Sequence, residues 1–235
     1  MRVPALLAFL VLTACGSQIY DAARPGEFRG SLLVMWVGPG DPGSGDGRFV
    51  YVPDPTSGQA LTFERGVGTT GTAANIRTIA PDWMYTDGGS VPRAFQPFRG
   101  LNPWGYAPAY MVHDWLFAAR KCLRDPSVTP TPEERKVAGV TFRETYEIMA
   151  EAIKTLERVH QVSGSDVQPS AITWAVSTGI SRRIWEQRNA CERLTPEHER
   201  QVQARLGIGP RSARGSVMVD RKRTIPARVV AQFDF

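Results

Sequence analysis

Residues 32–37 read Leu-Leu-Val-Met-Trp-Val, a run of apolar and β-branched side chains that is typical of a β-strand. Shorter runs of similar character follow at 48–52, 61–64 and 76–79, and clusters of Gly, Pro and Asp separate them. Such clusters divide antiparallel strands as turns do. This part of the chain is therefore predicted to form antiparallel strands.

After about residue 106 the apolar residues follow helical spacing instead. Residues 109–121 are predicted to form a helix. Pro132, which is followed by two glutamates, is a good helix start because proline suits the first turn and acids suit the positive end of the helix dipole. We predict a second helix from there to about residue 160.

Two further helices are expected before residue 210. Pro169 and Ser170 begin one of them, and the apolar side chains predicted to face the core along it are Ile172, Val176, Ile180 and Ile184. Thr195-Pro196-Glu197 begins the other, which ends near Gly207. Strands come first and helices after, and this order predicts an α+β domain.

The first fourteen residues have the properties of a signal peptide. Arg2 precedes an apolar stretch, 3–12, that is too short to span a bilayer permanently. The following Leu12-Thr13-Ala14-Cys15 resembles the bacterial lipobox, in which the cysteine thiol is acylated. The resemblance implies lipidation at Cys15, with acyl chains that anchor the protein to a membrane. Because Gly16 is not the aspartate that often retains such proteins at the inner membrane, we expect the outer membrane of the cell envelope, facing the periplasm.

The expected domain organisation has three parts after the signal peptide. Residues 15–30 are predicted to be a tether and residues 31–210 a single α+β domain. Residues 211–235 are predicted to be a basic, solvated tail, since much of the formal charge of +5 is concentrated near the C-terminus. Export and the lack of interleaved aromatic residues before Phe233 argue against a nucleic-acid partner.

Two cysteines remain after Cys15. Cys122 and Cys191 form an even pair in a chain expected in an oxidising compartment, and a disulfide between them is predicted. The alternative is two separate buried thiols. Three scattered histidines with these two cysteines do not make a zinc cluster.

The most distinctive sequence lies between the strands and the helices. It consists of Thr-Asp-Gly-Gly-Ser-Val-Pro-Arg at 86–93 and Met-Val-His-Asp-Trp-Leu-Phe at 111–117. The glycines allow positive φ and expose backbone carbonyls. His113 and Asp114 are adjacent on a predicted helix, so their side chains leave it about 100° apart. We predict that they do not pair with each other but serve neighbouring tasks at one cleft.

These two blocks resemble a family of phage and bacterial domains of unknown function, number 1353, over about residues 75–190. A more distant similarity is to the small secreted bacterial and fungal phospholipases of the A-two class. That similarity implies that His113 is a general base that activates water. It also implies that Asp87, Asp114 and the Gly88 carbonyl hold calcium, which polarises an ester carbonyl.

The chain departs from the phospholipase pattern in two places. Phe117 stands where those enzymes usually have a tyrosine. They also orient the histidine with an aspartate on a second helix, where this chain has Glu144 and Glu147. Either glutamate could substitute, and Glu144 is our candidate.

Two functions are therefore compared. One is an envelope lipoprotein that hydrolyses a lipid ester with calcium. The other is a non-catalytic, prophage-derived binding or assembly lipoprotein, in which His113 and Asp87 form a structural clasp. An exposed His113 favours the enzyme, and a buried one favours the clasp.

Overall fold

The computed structural model describes residues 18–38, 48–66, 76–86, 105–159, 169–208 and 226–235. These residues form antiparallel strands mainly in the N-terminal half and helices in the C-terminal half, which confirms the α+β class. The strands are β1 Glu27–Arg29, β2 Ser31–Val37, β3 Arg48–Pro53, β4 Thr62–Glu64, β5 Thr78–Ile79, β6 Met84–Thr86 and β7 Arg228–Asp234.

The strands pair into two antiparallel sheets. One has the order β1-β4-β5 and the other the order β6-β3-β2-β7. The centre of the larger sheet is β2, in which every residue is buried. Leu32 and Val34 belong to the main core, whereas Leu33 and Met35 belong to a second core on the other side of the strand. The continuous apolar run of β2 follows from this burial on both faces.

Six helices follow β6 along the described chain, and most of them contribute side chains to the main core, which also includes residues of both sheets. They are α1 Ala107–Arg124, α2 Pro132–Lys136, α3 Phe142–Arg158, α4 Pro169–Val176, α5 Gly179–Glu186 and α6 Pro196–Leu206. The central pair is α1 and α3, which pack against each other. The last helix covers the opposite face of the larger sheet, where Val202 joins the second core. Its C-cap, Gly207, has φ 70°, as the predicted end requires.

The predicted helix from 132 to about 160 is in fact two helices. The chain leaves α2 at Val137 and starts α3 after Thr141. Thr141 and Glu144 form a capping box, with the Thr141 side chain accepting from the Glu144 amide and Glu144 accepting from the Thr141 amide. This reciprocal pair starts a new helix, so the expectation of one continuous helix was wrong.

The helix predicted after Pro169 is also divided. Thr178 caps a new helix at Gly179, and this restart changes which side chains face inward. Ile180 is 74% exposed and Ile184 is 43% exposed, whereas Trp185 is 5% exposed. The prediction that both isoleucines face the core was therefore wrong, and Trp185 takes the buried position.

Both predicted boundaries of the domain need correction. Residues 18–22 are helical and β1 pairs with β4, so part of the expected tether belongs to the fold. The end of the expected basic tail forms β7, which pairs with β2. Ser31 donates a 2.7 Å hydrogen bond to Asp234 across that pair. The solvated tail was therefore wrong for β7, because pairing with a buried strand holds the C-terminus in the sheet.

The predicted disulfide between Cys122 and Cys191 is present. It connects the last turn of α1 to the segment between α5 and α6, across a sequence separation of 69. The Cys191 amide also donates to Asp125 at 2.8 Å, which holds the same junction.

Removing the disulfide is expected to destabilise the fold. Replacing both Cys122 and Cys191 with alanine should lower the free energy of unfolding by about 3 kcal/mol, since a cross-link restricts the unfolded chain. Urea denaturation of the variant and of the wild type measures this. Equal midpoints would contradict the expectation.

Within the described part of the chain, none of the helices combines the length and the hydropathy needed to cross a bilayer.

Candidate active site

The site is carried by α1, whose sequence explains where it begins and which face is buried. Pro108 lies in the first turn, where its missing amide costs nothing, and Lys121 and Arg124 lie near the negative end of the helix dipole. Ala109, Met111 and other apolar side chains of α1 enter the main core. The strand β6 packs on α1 and ends at Thr86, immediately before the Asp-Gly loop.

His113 lies on the buried side of α1. The residue is 7% exposed, and its ring lies 4.8 Å from the ring of Phe117, one helical turn later. Its Nδ1 atom is 3.3 Å from Oδ1 of Asp114. The Asp114 side chain is 32% exposed, so the pair reaches from the interior towards solvent.

The proximity of His113 and Asp114 corrects the prediction that they do not pair. The prediction used only the directions in which the two Cβ atoms leave the helix. Rotation about the side-chain torsions brings the carboxylate back to the ring, and the two atoms reach hydrogen-bonding distance.

The second ring nitrogen of His113 has a different environment. Nε2 is buried and has no hydrogen-bond partner among the described residues. An ionised carboxylate only accepts hydrogen bonds, so a neutral His113 ring that bonds to Asp114 carries its proton on Nδ1. Nε2 then carries a lone pair. A buried polar atom left without a partner costs about 1–3 kcal/mol, which makes it a candidate functional atom.

Glu144, the predicted orienting residue, lies in the first turn of α3 and is 2% exposed. Its Oε2 atom accepts from the Thr141 amide at 2.8 Å and from the Thr141 hydroxyl at 2.7 Å. These contacts belong to the capping of α3. The carboxylate that the structure places at the His113 ring is Asp114, and an orienting role for Glu144 stays a prediction.

The other predicted site residues are Asp87, Gly88 and Cys15, and they lie outside the described residues. Of the calcium ligands implied by the resemblance, the described residues therefore include Asp114 alone. Within the described ranges, one group of three residues is compact enough for a metal, namely Cys122, Glu134 and Cys191. Both sulfur atoms of that group are joined in the disulfide.

A polar cluster away from His113 was missed at the sequence level. The Tyr85 hydroxyl accepts from the Thr195 amide at 3.0 Å and shares a hydrogen bond with His198 Nδ1 at 2.7 Å. The Arg48 guanidinium lies 4.6 Å from the centre of the Tyr85 ring. The partners are more than a hundred residues apart in sequence, so no local spacing predicts their contact.

The cluster predicts a dependence of stability on pH. Burial, with a further effect of the Arg48 charge, lowers the pKa of His198. The unfolded chain therefore binds a proton more readily, and acidification below about pH 6.5, the ordinary value for histidine, favours unfolding. His198→Gln should lose less stability than the wild type between pH 7 and pH 5. Equal losses in thermal denaturation would contradict this.

Part of the chain matches a known protein family. Residues 69–162 match the model of a family described as "Protein of unknown function (DUF1353)". This stretch belongs to the DUF1353 family. No curated protein and no solved structure matches the chain.

The DUF1353 stretch contains every candidate residue for the chemistry. Asp87, Gly88, His113, Asp114 and Glu144 all lie within it. The match ends earlier than the residue 190 that we expected. Cys191, α4, α5 and α6 therefore lie beyond the DUF1353 stretch.

Proposed function

We propose that this protein is a lipid-anchored protein of the bacterial envelope, in which His113 is the general base for hydrolysis of a lipid ester and calcium is the cofactor. The lipobox-like sequence at 12–15 supports the anchor. The resemblance of the Asp-Gly and His-Asp blocks to secreted phospholipases supports the reaction class.

One observation carries the proposal. His113 has one ring nitrogen beside a carboxylate and the other buried without a partner among the described residues. The carboxylate suits a general base, because it holds the ring in one tautomer and stabilises the positive charge that forms. We therefore assign the role of orienting His113 to Asp114 rather than to Glu144.

The proposed reaction requires water to reach Nε2, which is buried in this structure. Nε2 of His113 accepts a proton from water, and the water oxygen forms a bond to the ester carbonyl carbon. The C–O bond to the alcohol then breaks, and the leaving alkoxide takes the proton from Nε2. The products are a fatty acid and a lysophospholipid, and His113 returns to its initial state.

Asp114 fits calcium chemistry as one donor, since calcium takes about six to eight oxygen ligands, many of them carboxylate or carbonyl oxygens. Asp87 and the Gly88 carbonyl would complete the protein ligands. When bound, the ion would polarise the ester carbonyl. Asp114 would hold the ion through its carboxylate, whose Oδ1 atom also lies 3.3 Å from Nδ1 of His113.

The proposal is tested with the lipidated full chain in vesicles of mixed phospholipids. Fatty acid is measured by mass spectrometry, with calcium and with a chelator. We expect release with calcium and none with the chelator. Release that the chelator does not change would overturn the role of calcium, and no release with calcium would overturn the hydrolase.

A second function is favoured by the burial of His113. At 7% exposure, with its ring beside Phe117, the residue fits the structural clasp of a non-catalytic envelope lipoprotein. The two functions differ in what His113→Gln changes. A clasp loses thermal stability, whereas an enzyme loses release of fatty acid while still folded.

A further inference from the structure

The helix α5 presents apolar side chains to solvent. Ile180 and Ile184 are 74% and 43% exposed, and their spacing of four residues places them on one face. The opposite side of α5 is fixed to the protein through Trp185, whose ring lies 5.0 Å from that of Phe117. Arg120 of α1 also donates to the Trp185 carbonyl at 3.2 Å. The exposed isoleucines are therefore held outward by a helix that is anchored on its other side.

The charge on this face is positive. Arg183 lies three residues after Ile180, on the same side of α5, and no ion pair joins it to another described residue. Glu186, the only acidic residue of α5, pairs with Arg182 at 2.9 Å. We name the surface formed by Ile180, Arg183 and Ile184 the α5 face. It combines apolar contact area with a cation that has no ion pair among the described residues.

We propose that the α5 face docks on an anionic phospholipid surface. Isoleucines that enter the boundary between headgroups and acyl chains, beside an arginine that binds lipid phosphate, are typical of helices that lie on membranes. Trp174, at the end of α4 and 37% exposed, is of the residue type enriched at that boundary.

A second copy of the chain fits the α5 face less well. In a two-fold pair the same surface meets itself, so the Arg183 side chains of both copies would approach each other. Two isoleucines also offer far less area than the roughly 800 Å² per partner of a stable interface. A membrane surface needs less area, because the proposed acyl anchor at Cys15 already holds the protein there.

Docking through the α5 face also affects where the candidate active site lies relative to the membrane. Ring contacts run from His113 to Phe117 at 4.8 Å and from Phe117 to Trp185 at 5.0 Å. Docking through α5 therefore holds His113 close to the lipid surface. This consequence rests on the proposed hydrolase, whereas docking itself does not require hydrolysis.

Hydrogen–deuterium exchange tests docking on the lipidated full chain. The amides of 179–186 are compared in vesicles of phosphatidylcholine alone and in vesicles that also contain phosphatidylglycerol. We expect about fivefold slower exchange with phosphatidylglycerol, the effect of one cation near an anionic leaflet. Arg183→Glu should abolish this difference. Replacing Ile180 and Ile184 with serine should speed exchange in both kinds of vesicle.

Ile208, which is 47% exposed beyond α6, supplies the matched control. Ile208→Ser should exchange as the wild type does in 179–186. Equal exchange in the two kinds of vesicle would overturn the proposal. So would protection in detergent that grows with protein concentration, because it would indicate a second copy. His113→Gln should keep the lipid-dependent protection, so a failure of the hydrolase is distinguished from a failure of docking.

Discussion

Replacing His113 with glutamine should lower the rate of fatty-acid release about 100- to 10,000-fold, the usual contribution of a general base. The expectation rests on Nε2, since glutamine keeps polar atoms at this position but cannot accept and return the water proton. The measurement is the initial rate in calcium-containing vesicles, normalised to the folded fraction from circular dichroism.

His198→Gln is the matched control for this experiment. His198 is the other histidine that the structure describes, and it contacts Tyr85 rather than the His113 ring. Its replacement should leave the rate at neutral pH unchanged. A His113→Gln variant that keeps the wild-type rate would contradict a catalytic role. A rate that falls only as far as the folded fraction falls would point to the clasp.

The second large effect is expected at a buried ion pair between Arg65 and Glu151. Nε of Arg65 donates at 3.1 Å and Nη2 at 2.8 Å to the two carboxylate oxygens, and both side chains are 3% exposed. The pair joins the segment after β4 to α3. Glu151→Ala leaves a buried guanidinium without this carboxylate and should cost about 3–5 kcal/mol.

Two further variants serve as comparisons for the free-energy cost of Glu151→Ala. Glu147→Ala removes an exposed pair with Arg143 on the same helix and should cost about 0.5 kcal/mol or less. Replacing both Arg65 and Glu151 with methionine should recover much of the loss, because neither position then carries a buried charge. Urea denaturation measures all three. A cost of Glu151→Ala similar to that of Glu147→Ala would show that the pair contributes little.

The parts of the fold that were predicted correctly have local signals. The apolar run of β2 and the Thr195-Pro196 start of α6 are properties of short segments, and the structure contains both elements. The break before α3 also had a local signal, since Thr141 and Glu144 have the spacing of a capping box. We nevertheless predicted one continuous helix, because the helical spacing of apolar residues is present on both sides of this capping box.

The errors at the two ends of the chain have a different origin. The pairing of β7 with β2 joins Ser31 to Asp234, 203 residues apart, and no local pattern reports such a contact.

The exposure of Ile180 and Ile184 follows from the helix restart at Gly179. A periodicity that is continued through a restart assigns every later side chain to the wrong face.

At the site, the motif blocks predicted which residues matter but not how they contact each other. His113 and Asp114 were selected by a resemblance, and the distance between them depends on side-chain torsions that sequence spacing does not report. The capping role of Glu144 competes with the orienting role assigned to it, because one carboxylate oxygen already accepts twice from Thr141.

The central claim is that Asp114 holds the proton of His113 on Nδ1 and leaves Nε2 as a base. Nitrogen-15 NMR of the histidine-labelled protein, at a pH where the ring is neutral, tests it directly. The chain has three histidines, so His113→Gln assigns the signal. We predict a protonated Nδ1 and an unprotonated Nε2, with this preference lost in Asp114→Asn. A neutral ring protonated on Nε2 would contradict the account.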